Sequence, residues 1–172
     1  QQLKIINAWD KSGKQMVVNG NGNYTSVSKS GTILLQGQLK DGLRYGKWLT
    51  FYETGKKQEE GNYENEVYSI SNAWDSNGEQ MVKDGNGIYT SYYLNGTSKY
   101  ESGEIKDGLR VGDWKLYYES NGNVYQEMVY VAGKVTGRLK SYYETGEIAT
   151  DGEMVNGLKE GEWKWYYITG TL

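Results

Sequence analysis

Carboxylates are the side chains of this sequence that could do the widest range of chemistry, because its 172 residues include no cysteine and no histidine. Thiol nucleophiles, histidine-based triads and most zinc, copper and haem sites are therefore excluded. An acid follows an aromatic doublet at Glu53, Glu119 and Glu144, and paired carboxylates can act as general acid and base. All three recur beside a turn glycine, which is typical of solvated turn residues. We predict no catalytic residue, no metal site and no cofactor.

Two other short patterns match ligand sites only in part. "DKSG" (10–13) and "DSNG" (75–78) begin like calcium loops, but they lack the alternating ligands and the distal glutamate of such loops. We interpret them as turns closed by an aspartate side chain. "GNGNY" (20–24) and "GNGIY" (85–89) lack the third glycine and the following helix of a dinucleotide site.

The charge balance argues against two classes of partner. With 19 basic and 22 acidic residues, the chain has a formal net charge of −3. It therefore has no electrostatic footprint for nucleic acid and no polybasic attraction to membrane lipid. No hydrophobic run approaches the roughly 20 residues of a membrane span.

Aromatic residues and glycines dominate the composition. The chain has 17 tyrosines and 6 tryptophans, and each such side chain buries roughly 150–250 Å² when it is packed. It also has 24 glycines and no proline, whereas flexible linkers are usually rich in both. Glycines at this density would break helices. The composition therefore indicates an ordered β-protein with an aromatic core.

The glycines mark an internal repeat of about 24 residues. Each repeat has an anchor glycine, an aromatic or apolar residue two positions later, and a doublet at five and six positions. The anchors are Gly22, Gly46, Gly87, Gly112, Gly137 and Gly161. A longer segment, "NAWDKSGKQMVVNGNGNYTS" (7–26), recurs as "NAWDSNGEQMVKDGNGIYTS" (72–91). We predict one repeat domain over 1–172, with a duplicated module at 1–65 and 66–131 and additional units over 132–172.

Each repeat is predicted to form a β-hairpin. In "GEWKWYYITG" (161–170), Trp163, Trp165 and Tyr167 alternate with Lys164 and Tyr166, which is the period of a strand. The glycine after the doublet indicates a tight turn with positive φ. The predicted fold class is all-β, an elongated single-domain array of about six to seven antiparallel hairpins.

The repeat is similar to a known family. "KDGLRVGDWKLYYESNG" (106–122) and "VNGLKEGEWKWYYITG" (155–170) resemble the bacterial variant of the MORN repeat, and the resemblance covers about residues 20–61 and 85–170. Val27 and Ser28 replace the doublet in the first repeat, and Leu139 replaces the tryptophan in the fifth. The resemblance implies a twisted array of antiparallel hairpins that acts as an interaction or scaffold module. It also implies an antitoxin-like role, since some bacterial members carry that label.

Strand alternation separates the two rings of each doublet. Positions two, four and six after the anchor share one face, which we expect to be packed: Trp48, Thr50, Tyr52; Trp114, Leu116, Tyr118; Trp163, Trp165, Tyr167. The first rings point to the opposite face: Phe51, Tyr92, Tyr117, Tyr142 and Tyr166. Lysines at 47, 115, 140 and 164 border this aromatic ladder. The ladder either stabilises the sheet through cross-strand contacts or binds a ligand.

Two functions remain open. The first is a non-enzymatic scaffold that binds another protein; the alternative is an extracytoplasmic module that binds a glycan or the cell envelope through the ladder. The sequence begins "QQLKIINAWD" without an initiator methionine, which favours a periplasmic, cell-surface or secreted protein over a cytoplasmic one. Open strand edges allow either a monomer or an edge-paired dimer.

Overall fold

The computed structural model describes residues 3–93 and 96–169. These residues form sixteen β-strands and no helix, so the predicted all-β class is confirmed, and this part of the chain has no helix that could cross a membrane. The chain divides into two compact units between Gly85 and Asn86. The end of the last predicted repeat, residues 170–172, lies outside the described residues.

The first unit contains eight strands, each of which pairs antiparallel with the next. They are β1 (Ala8–Trp9), β2 (Gln15–Val18), β3 (Asn21–Val27), β4 (Ile33–Lys40), β5 (Leu43–Phe51), β6 (Lys57–Glu64), β7 (Val67–Trp74) and β8 (Gln80–Lys83). Each strand pairs only with its neighbours along the chain, as expected of stacked hairpin repeats.

The second unit is built in the same way. Its strands are β9 (Asn86–Tyr92), β10 (Lys99–Lys106), β11 (Leu109–Tyr117), β12 (Val124–Val131), β13 (Lys134–Val135), β14 (Gly137–Tyr142), β15 (Ile148–Val155) and β16 (Leu158–Trp165). The spatial order is β9-β10-β11-β12-β14-β15-β16, and the short β13 pairs with β12. All pairs are antiparallel.

The predicted turns are present at both ends of the hairpins. After the doublets, Gly55 and Gly146 have φ of +80° and +101°. The N–H of Gly55 donates to the carbonyl of Tyr52 at 2.8 Å. At the opposite end, Asp107 and Gly108 both have positive φ, 51° and 78°, as two-residue hairpin turns of the mirror-image type require.

The duplicated segments have equivalent structures. Gln15 Nε2 donates to Asn7 Oδ1 at 3.1 Å, and Gln80 Nε2 donates to Asn72 Oδ1 at 3.0 Å. In both copies the acceptor oxygen belongs to the asparagine of "NAWD". The sequence duplication is therefore also a duplication of the local hydrogen-bonding pattern.

In three hairpins a tryptophan ring is placed against a glycine of the preceding strand, and in two of them the ring is fully buried. Trp48 and Trp114 are 1% and 0% exposed. A Cβ added to Gly37 or Gly103 would come within 2.3 Å of the indole ring, so a residue with a side chain would displace the ring. Among the glycines that lie about 15 positions after an anchor, Gly37, Gly103 and Gly152 each pack against a tryptophan, whereas Gly61 faces Tyr68.

The anchor glycine places a cation over the same indole. Gly37 pairs with Trp48 while Gln38 pairs with Tyr45, so the register shifts around Gly46, which has a φ of +63°. This bulge helps to bring Arg44, four residues before the tryptophan, onto its ring, with Cζ 4.7 Å from the centroid. Four residues of a regular strand would span about 13 Å. The guanidinium covers the ring and contributes a cation–π contact.

The expectation of a packed face is confirmed at Trp48 and Trp114 but is wrong at the end of the chain. Trp165 and Tyr167 are 59% and 69% exposed. No strand of the described residues pairs with the outer edge of β16. A ring on an edge strand has neighbours on one side only, so alternation alone cannot bury it.

Candidate functional site

The five residues of the predicted ladder are all half-buried. Phe51 ends β5 in the first unit. In the second unit, Tyr92, Tyr117 and Tyr142 end β9, β11 and β14, and Tyr166 follows β16. We call these four tyrosines the tyrosine strip.

Successive members of the tyrosine strip are two strands apart. Neighbouring strands lie about 4.8 Å apart, so the rings recur at intervals of about 10 Å. The ring–ring contacts of the second unit join other pairs of residues within the described ranges. The strip is therefore a row of separate rings rather than a stacked ladder, and Lys99 Nζ of the intervening β10 lies 5.2 Å from the centroid of the Tyr117 ring.

Two rings of the strip are held by hydrogen bonds between their hydroxyl groups and a residue in a diagonal position on the neighbouring strand. The Tyr142 hydroxyl donates to Glu127 Oε2 at 2.7 Å, and the Tyr117 hydroxyl pairs with Ser102 Oγ at 3.1 Å. In each case the partner lies on the preceding strand, opposite the residue two positions before the tyrosine. Burial, together with the Glu127 carboxylate, raises the pKa of Tyr142 to about 12. Both rings are thus fixed in position.

A row of alternating charges runs beside the strip. The strand register places Lys115 opposite Glu127, Glu127 opposite Lys140, Lys140 opposite Asp151, and Asp151 opposite Lys164. Lys115 Nζ lies 2.9 Å from Glu127 Oε1. This hydrogen-bonded ion pair lowers the pKa of Glu127, so the carboxylate is ionised at neutral pH.

A shallow depression lies on the same face. Its volume is about 290 Å³, and its lining includes Asp113, Lys115, Glu127, Val129, Arg138 and Lys140. Arg138 Nε donates to Asp151 Oδ1 at 2.7 Å and lowers the pKa of Asp151. The lining is charged and open, which suits a polar side chain of a partner better than an enclosed small molecule.

The second ring of the doublet ties one hairpin to the next. Its hydroxyl donates to a backbone carbonyl of the following repeat at 2.6–2.8 Å: Tyr52 to Trp74, Tyr93 to Tyr117, Tyr118 to Tyr142, and Tyr143 to Tyr166. Sequence reasoning assigned this ring to the packed face and missed the hydrogen bond. Donor and acceptor lie about one repeat apart, so the bond depends on the register between repeats, for which the sequence pattern holds no signal.

The other candidate ligands have structural roles. Asp10 Oδ1 accepts from the N–H groups of Ser12 and Lys14, both at 2.9 Å, and Asp75 closes its turn in the same way. These are the aspartate turns that the sequence predicted. The glutamates after the doublets are exposed, and the described residues contain no acidic cluster that could hold a metal ion.

Comparison with known families adds one finding. Residues 44–65 match the family model of the MORN repeat variant. The matched stretch includes Arg44, Trp48 and Tyr52, which are the cation, the buried ring and the second ring of the doublet described above. The match supports a repeat-based binding module. A comparison with curated proteins gave no match.

Proposed function

We propose that this chain is a non-enzymatic scaffold module that binds another protein through the tyrosine strip. The supporting observation is that the strip presents half-buried rings at regular intervals, two of them fixed by hydrogen bonds. Aromatic rings that are already fixed lose little conformational entropy on binding. The MORN-type repeat at 44–65 supports a repeat-based binding role.

The spacing of the strip favours a partner segment that crosses the strands. A polyproline-II helix repeats every three residues with a rise of about 9.3 Å, close to the spacing of about 10 Å between rings. Such a segment would place every third side chain beside successive tyrosines. The adjacent row of lysines and carboxylates would then select complementary charges along the segment.

The same contacts make a glycan the less suitable ligand. The Tyr142 hydroxyl already donates to Glu127, and the Tyr117 hydroxyl is engaged with Ser102. The Tyr142 phenol cannot give a sugar hydroxyl the proton that it already donates to Glu127. A protein segment needs only the ring faces and the neighbouring charges.

Affinity capture from an extract of the source organism tests the proposal. The wild-type chain should retain a specific protein that the Tyr117→Ala/Tyr142→Ala variant loses. A Lys134→Ala/Glu144→Ala variant is the matched control, because both residues are exposed and lie outside the strip, and it should retain the protein. Urea unfolding of all three chains checks that the tyrosine variant is folded at the temperature of capture.

The capture result also separates the alternatives. Retention of a small toxin would give the module an antitoxin-like role. Equal retention by the wild-type and tyrosine variants would contradict binding through the strip. Binding to a glycan array that depends on Tyr117 and Tyr142, with no protein captured, would favour the envelope-binding alternative.

A further inference from the structure

A second surface is indicated by two exposed tyrosines, Tyr100 and Tyr125, in neighbouring hairpins of the second unit. Each is 41% exposed. Each lies at a β-bulge, because the residues on either side of it pair with successive residues of the partner strand. The extra residue of a bulge has no cross-strand partner, so the bulge itself sets the direction of the side chain. Both rings contact the second ring of the doublet in their own hairpin.

These contacts have the same geometry in the two hairpins. Tyr100 meets Tyr93 edge-on, with ring centroids 5.1 Å apart and an interplanar angle of 77°. Tyr125 meets Tyr118 at 5.2 Å and 69°. We call these four residues the tyrosine pairs. The hydroxyls of Tyr93 and Tyr118 donate to the next repeat, so each exposed tyrosine contacts a ring that is already fixed in position.

The bulge does not require a tyrosine. The corresponding bulges of two other hairpins hold Gln58 and Ala149, and both hairpins form regular antiparallel pairs on either side of the bulge. A glutamine and an alanine therefore fit the same backbone position. The fold alone does not explain the large exposed rings of Tyr100 and Tyr125. Tyrosine is among the residues that are enriched where proteins contact one another.

Carboxylates lie beside the tyrosine pairs. Glu119 and Glu144 follow the second rings of successive doublets and are exposed. Burial, the partner phenol and the glutamate of the following turn all raise the pKa of Tyr93, and the same three causes raise the pKa of Tyr118. Neither of these turns contains a lysine or an arginine. The electrostatic surroundings of both pairs therefore favour a cation.

Elsewhere the chain places its own cations over aromatic rings. Lys57 Nζ lies 5.1 Å from the Trp74 centroid, and Lys99 Nζ lies 5.2 Å from that of Tyr117. Within residues 3–93 and 96–169, no lysine or arginine lies over a ring of the tyrosine pairs in this way. The electron-rich faces of the exposed rings can therefore receive a cation from another molecule.

We propose that the tyrosine pairs bind a basic segment of another protein, with one lysine or arginine side chain at each pair. Each cation packs on the ring of Tyr100 or Tyr125 and is attracted by the glutamate beside that pair. Tyr100 on β10 and Tyr125 on β12 lie two strands apart, which is about 10 Å. An extended chain rises about 3.3 Å per residue, so the segment carries its basic residues three positions apart.

This surface is distinct from the tyrosine strip. Tyr93 and Tyr118 are the second rings of doublets whose first rings, Tyr92 and Tyr117, belong to the strip. Successive side chains of a strand point to opposite faces of the sheet. Binding at the tyrosine pairs can therefore succeed or fail independently of binding at the strip.

A lysine-containing peptide tests the tyrosine pairs. The probe is a short peptide with lysine at every third position and serine or glycine elsewhere, and the control peptide has glutamine in place of each lysine. Titration of the isotope-labelled 172-residue protein with the lysine peptide should give saturable NMR shifts at the amides of Tyr100, Tyr125 and their neighbours. The glutamine peptide should bind at least about fivefold more weakly, because it has no cation to place over a ring.

Substitutions taken from the other hairpins remove the exposed rings. Tyr100→Gln/Tyr125→Ala introduces the residue types that stand at 58 and 149, where the same bulge forms. This variant should bind the lysine peptide about tenfold more weakly, since two cation–ring contacts are lost. Urea unfolding checks that it is folded at the temperature of the titration. Binding that this variant leaves unchanged overturns the proposal, because the cations would then lie elsewhere.

Two single substitutions test the charge and the specificity of the surface. Glu119→Gln should weaken binding of the lysine peptide about threefold and make it less dependent on salt. Tyr45→Gln is the matched control and should leave binding unchanged, because Tyr45 is an exposed tyrosine that already has Lys40 Nζ 5.5 Å from its ring centroid. Absence of saturable shifts with the lysine peptide overturns the proposal, and so does equal affinity for the lysine and glutamine peptides.

Discussion

The indole ring of Trp114 rests on Gly103 of the neighbouring strand, where an added Cβ would lie 2.3 Å from ring atom Cδ2. Trp114 Nε1 donates to the carbonyl of Glu104 at 3.2 Å, and Arg110 covers the other side of the ring. Glycine, backbone acceptor and arginine together bury a large ring within a single sheet. The same packing of indole on glycine joins Trp48 to Gly37 and Trp163 to Gly152, but Trp48 Nε1 has no hydrogen-bond partner among the described residues.

Gly103→Ala should destabilise the protein by about 3 kcal/mol, because the new methyl group must displace the indole ring or the strand. Urea unfolding followed by tryptophan fluorescence measures the loss. Gly122→Asn is the control: Gly122 has open space around its Cβ position and a φ of +72°, which asparagine tolerates at a cost below about 1 kcal/mol. Equal losses in the two variants would contradict the seating of Trp114 on Gly103.

Trp114→Ala and Trp165→Ala should differ strongly in their effect on stability. Removing the fully buried Trp114 ring should cost about 3–5 kcal/mol in the free energy of unfolding. Removing the exposed Trp165 ring should cost less than about 1 kcal/mol. A loss of several kcal/mol at Trp165 would show that β16 is covered in solution.

Two ion pairs of the second unit should contribute unequally to the free energy of unfolding. Arg110 forms bidentate hydrogen bonds to Glu101 at 2.7 and 2.8 Å, and Glu101 is only 7% exposed. Arg110→Ala should cost about 2–3 kcal/mol, because it leaves a buried carboxylate unpaired and uncovers Trp114. Lys115→Ala, which breaks the more exposed pair with Glu127, should cost less than about 1 kcal/mol. Similar losses in urea unfolding would contradict this ranking.

The Tyr142 phenol should make the protein less stable in alkali. Its pKa is raised to about 12 in the folded protein from an ordinary value of 10.0, so the unfolded chain loses this proton first as the pH rises. The contribution is fully present below pH 10 and is lost between pH 10 and about 12. Tyr142→Phe should therefore lose less stability than the wild type across this window, as measured by urea unfolding at each pH. If the free energies of unfolding of the wild type and of Tyr142→Phe fell equally with rising pH, the pKa of Tyr142 would not be raised in the folded protein.

Much of the fold could be predicted from the sequence. The spacing of Gly55 and Gly146 after their doublets predicts the turns, and alternation around Trp48 and Trp114 predicts their burial. Both depend on interactions within a few residues of the chain. The hydrogen bond from Tyr118 to the Tyr142 carbonyl could not be read in this way, because it depends on the register of strands that lie a full repeat apart.

For the candidate sites, too, some features could be predicted from the sequence and others depended on strand register. The sequence indicates that Tyr117 and Tyr142 share a face, but not that their hydroxyl groups are engaged with Ser102 and Glu127. Diagonal contacts of this kind depend on side-chain direction across two strands. Whether these rings bind a partner remains a prediction for the capture experiment.

By itself, the sequence determined the repeat length, the all-β class, the turns and the separation of the two rings of each doublet, because turn chemistry and strand period act over short distances. Only the tertiary structure decided which glycine seats which tryptophan and which carbonyl accepts each tyrosine hydroxyl. It also decided that Trp165 on the edge of β16 is exposed. A side chain in a sheet is buried by its neighbours on both flanking strands, so its environment depends on the register and presence of strands that its own repeat does not encode.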